Sequence, residues 1–600
     1  MNGGKIFCII KTMNSKRFSL FLACVLMLIF IVPGFAQTDV EVCAPDSFFP
    51  EAGNCGYEIE HYEIIFEWDQ PTNLLSGDVT LTVNFTDDLE LLSLDFSNKK
   101  IVNEVSVNGL PVEFAHVEDN IDIPGTFSTG DQIKVRVIYS GLAEETMILS
   151  SELMSLKGAT DPFCIVSEPT LAHTWFPSND TPRDRATFDI TVTVPAKYAV
   201  GSNGRLQQIA FSDGTTFMPE GDFSFVHPDN ASGSVTYSYK AEAPMPPYLM
   251  TVCLGEFEIY GKMQPDSIYQ LDFIDQNLRS KDQFKNWADM MPEMIQCFEP
   301  WLGDYPFADS GSIVINRSFG GALETQTRSV YGSDMLLAGA DGFSHELSHQ
   351  WIGNLVSLND WSDLWIKEGF ATFSEALWIK CSEGQEAFEK RIQDAYETIA
   401  LMTLRNRKAA VMAQVYLETD EVKNYRFDDL NKVSEALSLF CDREIVVSDL
   451  KFPEDQTEVN GTAFWQSVPD YCSLVSIDPL KQQQINELFG LDKTFDIKLT
   501  GPKSISNDFM DMYSLLPYDG GSLVYAALYY ELGEDVFAQA MRTLVETYRN
   551  QSITTQQVID VFSDAAGSDM SDLINSWLLY RIPPNLPTFK TYQEIIEENR

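Results

Sequence analysis

Basic residues are scarce in this chain: 41 lysines and arginines stand against 88 aspartates and glutamates, a formal net charge of −47 over 600 residues. Such a field repels phosphate backbones and anionic lipid, so nucleic acid and acidic membrane surfaces are excluded as partners. The acidic residues are spread along the chain and do not form a tail, which suits solvation of the whole surface. Histidine is rarer still, with 6 copies, so two of them at helical spacing carry information. Cysteine occurs 10 times but never as C-x-x-C, which argues against a thiolate zinc site. Long apolar runs are missing beyond the amino-terminal segment, so no later stretch is able to span a bilayer.

That amino-terminal segment has an export pattern. Lys11, Lys16 and Arg17 precede the apolar run Phe18–Val32, and Gly34, Phe35 and Ala36 lead to a cut before Gln37. Residues 1–36 are therefore expected to be a cleaved signal, which makes the protein secreted or periplasmic with no stable membrane span afterwards. Export permits disulfides, and Cys43 with Cys55 and Cys441 with Cys472 are the candidate pairs.

Six hundred residues exceed what one core can organise, so a multidomain chain is expected. From Tyr57 to Lys240 short alternating strands dominate, as in Val79–Val83 and Phe188–Val194, and predict an antiparallel β domain over 37–242. The character changes near Ala243-Pro244-Met245-Pro246-Pro247. Helical stretches then follow over Asp282–Trp301 and Glu386–Met402, and again from Gly521 through Tyr548, Thr554 to Ala566 and Met570 to Leu579.

The densest chemistry lies in His345-Glu346-Leu347-Ser348-His349, with Glu368 following after eighteen further residues. Histidines four apart on a helix leave the same face and can grip one metal ion. A hydrolytic zinc centre takes three protein ligands and keeps one position open; His345, His349 and Glu368 supply the three, for one Zn2+ per chain. Glu346 stands on the adjoining flank, within reach of a water at the metal. The other histidines, 61, 116, 173 and 227, lack ligand spacing and read as structural.

The stretch His345-Glu346-Leu347-Ser348-His349-Gln350-Trp351-Ile352-Gly353-Asn354, continuing to Trp365-Ile366-Lys367-Glu368-Gly369-Phe370-Ala371, closely resembles the gluzincin aminopeptidases of family M1, from about residue 57 to 590. The resemblance implies a saddle-like amino-terminal β domain and an α+β thermolysin-like catalytic domain. That domain's first part would occupy 243–420, its helical remainder 506–600, and an insertion of unknown role 421–505. The helical carboxy-terminal domain often found in the family is not expected.

Gly321-Ala322-Leu323-Glu324-Thr325 is similar to the family's Gly-x-Met-Glu-Asn strand, which implies that Gly321 and Ala322 line the substrate and that Glu324 binds its α-amino group. Thr325 departs from the family's asparagine. Glu168, nine residues before Pro177, fits the place of a second amine-binding residue. Asp180 is expected to brace its turn. The family's oxyanion tyrosine resembles Tyr518, in Leu516-Pro517-Tyr518-Asp519-Gly520-Gly521, where Gly520 replaces a lysine; Tyr425 is the runner-up. Lys367 stands where many relatives have asparagine and is expected to point away from the metal, with little effect. Asp363 is expected either to orient a zinc-ligating imidazole or simply to start a helix.

The implied reaction is release of amino-terminal residues from peptides with a free amino terminus. In it Glu346 is the general base, Tyr518 the oxyanion donor, and Glu168 and Glu324 the amine anchors. A zinc endopeptidase and an inactive peptide-binding relative are the alternatives. Oligomeric state and side-chain preference are not legible.

Overall fold

The computed structural model describes residues 44–142, 163–227, 231–264, 266–417 and 500–598 apart from 581, with Ser434, Glu435, Ser438 and Val446 in between. The expected signal, Tyr425, and most of 421–505 lie outside the described residues, as do Cys43, Cys441 and Cys472 and so their predicted pairings. Two other disulfides are present, Cys164–Cys253 and Cys297–Cys381, separated by 89 and 84 residues in sequence. Among the described residues no helix is long and apolar enough to cross a membrane.

Strand Tyr57–Asp69 buries Tyr62, Ile64, Phe66 and Trp68 on one face, because successive strand side chains point to opposite sides. A bulge between Ile59 and His61 shifts the phase of that alternation. The strand belongs to a nine-stranded sheet ordered 216–217, 205–211, 234–245, 186–195, 57–69, 74–85, 132–142, 101–107 and 110–111. Its pairings are antiparallel except that Tyr57–Asp69 runs parallel to Ala186–Pro195, with ample chain between them for the crossover a parallel pair needs. The β-rich amino-terminal domain expected from the alternating pattern is present.

A short sheet of Ala199–Ser202, Val252–Gly255 and Phe163–Ile165 positions the next feature. Cys164 and Cys253 face each other across its last pairing. The chain leaves this tethered strand at Ile165 and reaches Glu168 three residues later.

The second region is built on a mixed sheet ordered Phe223–Val226, Phe257–Met263, Tyr269–Asp275, Ser312–Val314, Ser329–Tyr331 and Ala322–Leu323, with Asp309–Ser310 paired beside it. Ala322–Leu323 is therefore an edge. The helices of this region are α1 (Lys281–Leu302) and α2 (Gly339–Ser348), which pack on the sheet, and α3 (Trp365–Glu383), α4 (Gln385–Leu417), α5 (Gly521–Leu532), α6 (Glu534–Thr547) and α7 (Thr555–Ala566), which pack on one another and on these. Thr554 and Gln557 form a capping box that fixes where α7 begins.

α3 is buried almost all round, with Phe370, Phe373 and Leu377 fully enclosed. Phe373 packs among Tyr525, Tyr529 and Phe537 from α5 and α6. The backbones of α3 and α5 touch at Gly369 and Gly521: a Cβ added to Gly521 would stand 2.7 Å from Gly369 Cα. Neither glycine can grow without parting the helices. Gly521→Ala is expected to destabilise the protein by about 1–3 kcal/mol, an ordinary overpacking cost. It should also lower kcat, because Tyr518 lies just before this crossing; melting temperature and steady-state kinetics would check both.

Candidate active site

His345 lies in the last turn of α2 and His349 just beyond its end, still in helical conformation, with its N–H donating to the His345 carbonyl at 3.3 Å. The two imidazoles therefore share a face. Glu368, in the first turn of α3, brings its Oε2 to 3.4 Å from His345 Nε2 and 3.5 Å from His349 Nε2. The ligand atoms of the three residues lie within 4.8 Å of one another, and all three side chains are buried.

The far ring nitrogens are tied elsewhere. His345 Nδ1 meets Glu375 Oε1 at 2.9 Å, and His349 Nδ1 meets the Ile352 carbonyl at 3.1 Å. A carbonyl can only accept, so His349 donates from Nδ1, which leaves Nε2 as the ring nitrogen that faces Glu368. The chain must pass tightly over this ring to deliver the Ile352 carbonyl. Gly353 makes that possible: its φ is +130°, and a Cβ there would lie 3.0 Å from His349 Nδ1. Glu375 is held in turn by Arg391 at 3.0 Å.

Asp363 does not orient an imidazole. Its carboxylate accepts from Thr555 N at 3.2 Å, from Thr555 Oγ1 at 2.6 Å and from Lys503 Nζ, so it fastens α7 and the 500–505 segment to the start of α3. The orienting carboxylate is Glu375, seven residues after Glu368 and on the same face two turns along. That i, i+7 spacing is the sequence signal for it.

These donors fit a divalent zinc ion. Two imidazole nitrogens and one carboxylate oxygen converge, and both imidazoles have partners of the kind that zinc histidines use. Beside them, Glu346 Oε2 is buried with no hydrogen-bond partner. A carboxylate oxygen is rarely left so unless a water or an ion belongs there. Burial, with the charges of Glu324 and Glu368, pushes the Glu346 carboxyl well above its ordinary value, a direction that suits a proton acceptor.

Tyr518 comes from the far side of the undescribed stretch, in a single π-type turn over Leu516–Gly520 that leads into α5. Such turns often occur at functional sites. Its ring lies nearly parallel to that of His345, with centroids 6.0 Å apart. Burial, and next the Glu368 charge, push its phenol well above the ordinary value, so the hydroxyl keeps its proton and remains a donor. Tyr513, which carries no motif, also enters the site and donates to Glu168 Oε1 at 3.2 Å.

The edge strand Ala322–Leu323 delivers Glu324 beside the histidines. Two residues of the long motif fasten it there: Asn354 Nδ2 donates to the Glu324 carbonyl at 2.7 Å, and Gln350 Oε1 accepts from Thr327 N at 2.7 Å. Thr325, the departure from asparagine, turns its hydroxyl to the Arg328 carbonyl at 2.6 Å. Asp180 meets His173 Nδ1 at 2.8 Å and its backbone N–H at 3.1 Å, which braces that turn.

Lys367 departs from expectation. Its Nζ lies 2.6 Å from Glu168 Oε1, 2.5 Å from Glu324 Oε1 and 3.0 Å from Glu368 Oε1, and the side chain is wholly buried. The rings of Tyr248 and Trp361 stand 5.5 and 5.7 Å from the ammonium. Only a cluster of charges spares this lysine an unpaired burial. Burial opposes its charge, and Glu168, Glu324 and Glu368 outweigh that and hold its pKa well above the ordinary value. Of the carboxylates, Glu168 is pushed up to about 8, first by burial and then by the Glu324 charge.

One cavity of about 390 Å³ is lined by Gly321, Ala322, Glu168, Glu324, Glu346 and Tyr518, together with His345, His349 and Glu368. The structure thus brings every predicted site residue to one place. The Peptidase family M1 domain model matches residues 288–431 and 473–577, and the Peptidase M1 N-terminal domain model matches 58–219. The chain is 26% identical over 334 residues to a leucyl aminopeptidase of Saccharolobus solfataricus, covering 53% of this chain and 38% of that protein. It is 25% identical over 332 residues to the tricorn protease-interacting factor F2 of Thermoplasma acidophilum, covering 52% and 38%. It therefore spans well under half the length of these relatives.

In three dimensions it resembles an M1 zinc metallopeptidase from Deinococcus radiodurans, with a TM-score of 0.62 at 20% identity over 91% of this chain and 98% of that one. Yeast LTA4 hydrolase matches with a TM-score of 0.58 at 16% identity, over 90% and 70%. With both domain models matched in order and the β-rich domain followed by the helical region, the chain belongs to peptidase family M1.

Proposed function

We propose that this chain is an exported zinc aminopeptidase that removes residues singly from the free amino end of peptides. The observation that carries this reading is that two clusters share Glu368. The set His345, His349 and Glu368 suits a divalent metal, while Glu168, Glu324 and Glu368 suit an ammonium. Only the first peptide bond of a chain can lie at one cluster while its amino group lies at the other.

A bound zinc ion supplies Lewis acidity to the scissile carbonyl and to the attacking water. Glu346 takes the proton of that water and returns it to the departing amine. Tyr518 donates to the oxygen on which negative charge develops. Glu168 and Glu324 hold the amino end, and the edge at Gly321 and Ala322 offers backbone groups to an extended peptide. The name of the Saccharolobus relative and the Deinococcus structure solved with a Tyr-Ser-Ala substrate support this reading. Two disulfides and the apolar run at Phe18–Val32 support export.

A free decapeptide and its N-acetylated twin, incubated with the zinc-loaded protein and followed by mass spectrometry, test the reading. A ladder of single-residue losses from the free peptide alone is expected, abolished by a chelator. Internal fragments from either peptide would overturn it.

A further inference from the structure

The three carboxylates that suit a substrate ammonium already surround one, from Lys367. No other cation comes so close to Glu168 and Glu324 among the described contacts, and the lysine is fully enclosed beneath them. Its Nζ takes one oxygen from each of three side chains, a complete set of acceptors for an ammonium with three protons. Tyr248 and Trp361 close the pocket behind it with their ring faces. Displacing Lys367 would leave a charge buried without a partner, so an arriving amine shares the carboxylates and does not evict the lysine.

We propose that Lys367 is a specificity-determining residue, an internal counter-ion that partly satisfies the amine-binding carboxylates and so weakens this enzyme's demand for a free α-amino group. The inference rests on the aminopeptidase reading, since it concerns the same carboxylates. Its physical content is a competition: two cations facing the same acceptors repel each other, and each gains less than it would alone.

The test is binding in the zinc-loaded Glu346→Gln background, where turnover is suppressed. Leu-Gly-Gly and its des-amino analogue, 4-methylpentanoyl-Gly-Gly, are titrated calorimetrically, and the ratio of their dissociation constants gives the worth of the amine without the bulk of a blocking group. With Lys367 present the amine is expected to improve binding by no more than roughly tenfold, and Lys367→Met should raise that ratio by at least about a further tenfold. Lys367→Gln, which is neutral yet can still donate to Glu168 and Glu324, should move the ratio the same way if the methionine variant folds poorly. Lys367→Arg should leave it unchanged.

A ratio that stays level or falls in both neutral variants would overturn the proposal and make Lys367 a tie between the carboxylates. A ratio that rises equally in the arginine variant would overturn it too, because charge would not be the cause. The decapeptide ladder separates this outcome from the parent reading. Internal cleavage removes the aminopeptidase assignment and the proposal that rests on it, whatever the ratio; a ladder with a level ratio removes the role of Lys367 and leaves the assignment standing.

Discussion

Glu346→Gln is expected to lower kcat by about 10²–10⁴-fold, the usual worth of a positioned acid–base group, while KM stays within a few-fold of wild type. The substitution keeps shape and volume and removes only the ability to take a proton. Glu346 is not needed to assemble the donor set, because His345, His349 and Glu368 are oriented by Glu375, the Ile352 carbonyl and the start of α3. Zinc content and melting temperature should therefore hold while turnover collapses. The partnerless Oε2 carries the argument, since no protein group occupies that oxygen and its natural neighbour is the attacking water. Steady-state kinetics beside metal analysis would check it, and activity surviving in a variant that still binds zinc would defeat the mechanism.

The second large effect is expected at Tyr518. Removing its hydroxyl in Tyr518→Phe should cost roughly 10²–10³ in kcat, as loss of one oxyanion donor does, with KM little altered. The ring would remain against His345, so stability should be unaffected. Tyr513 is the informative control. Its hydroxyl is already committed to Glu168, so Tyr513→Phe should act on amine binding and move KM more than kcat. A kcat loss that appeared in Tyr513→Phe and not in Tyr518→Phe would reassign the donor.

The two results would also divide the site by origin. Glu346 belongs to a pentapeptide on one helix, whereas Tyr518 is placed by the Gly369–Gly521 crossing. Tyr518 was readable because its surroundings match a family element, yet no local pattern explains why it arrives beside His345. That placement depends on two glycines, one on each helix, and only their contact reveals what either is for. Glu375 is legible in the sequence at i+7 from Glu368, whereas Asp363 is merely near that ligand in the chain. The surroundings of Lys367 are hidden from the sequence for a related reason. Two of the carboxylates that surround its ammonium come from residues 43 and 199 positions away. The disulfides were equally opaque, since a pairing across 89 residues leaves no mark on spacing.

Local pattern in the chain specifies the β-rich first domain, the helices that follow and the His345, His349 and Glu368 donors. Periods of two and of 3.6 and an i, i+4 pair are local properties that a chain carries wherever it folds. Only packing brings Glu168, three residues beyond the disulfide-tethered strand, and Glu324, just past a sheet edge, to the buried ammonium of Lys367 from α3. Charges interact through space and not along the chain, so a cluster of this kind exists only once the packing has brought its members within about 3 Å of one another.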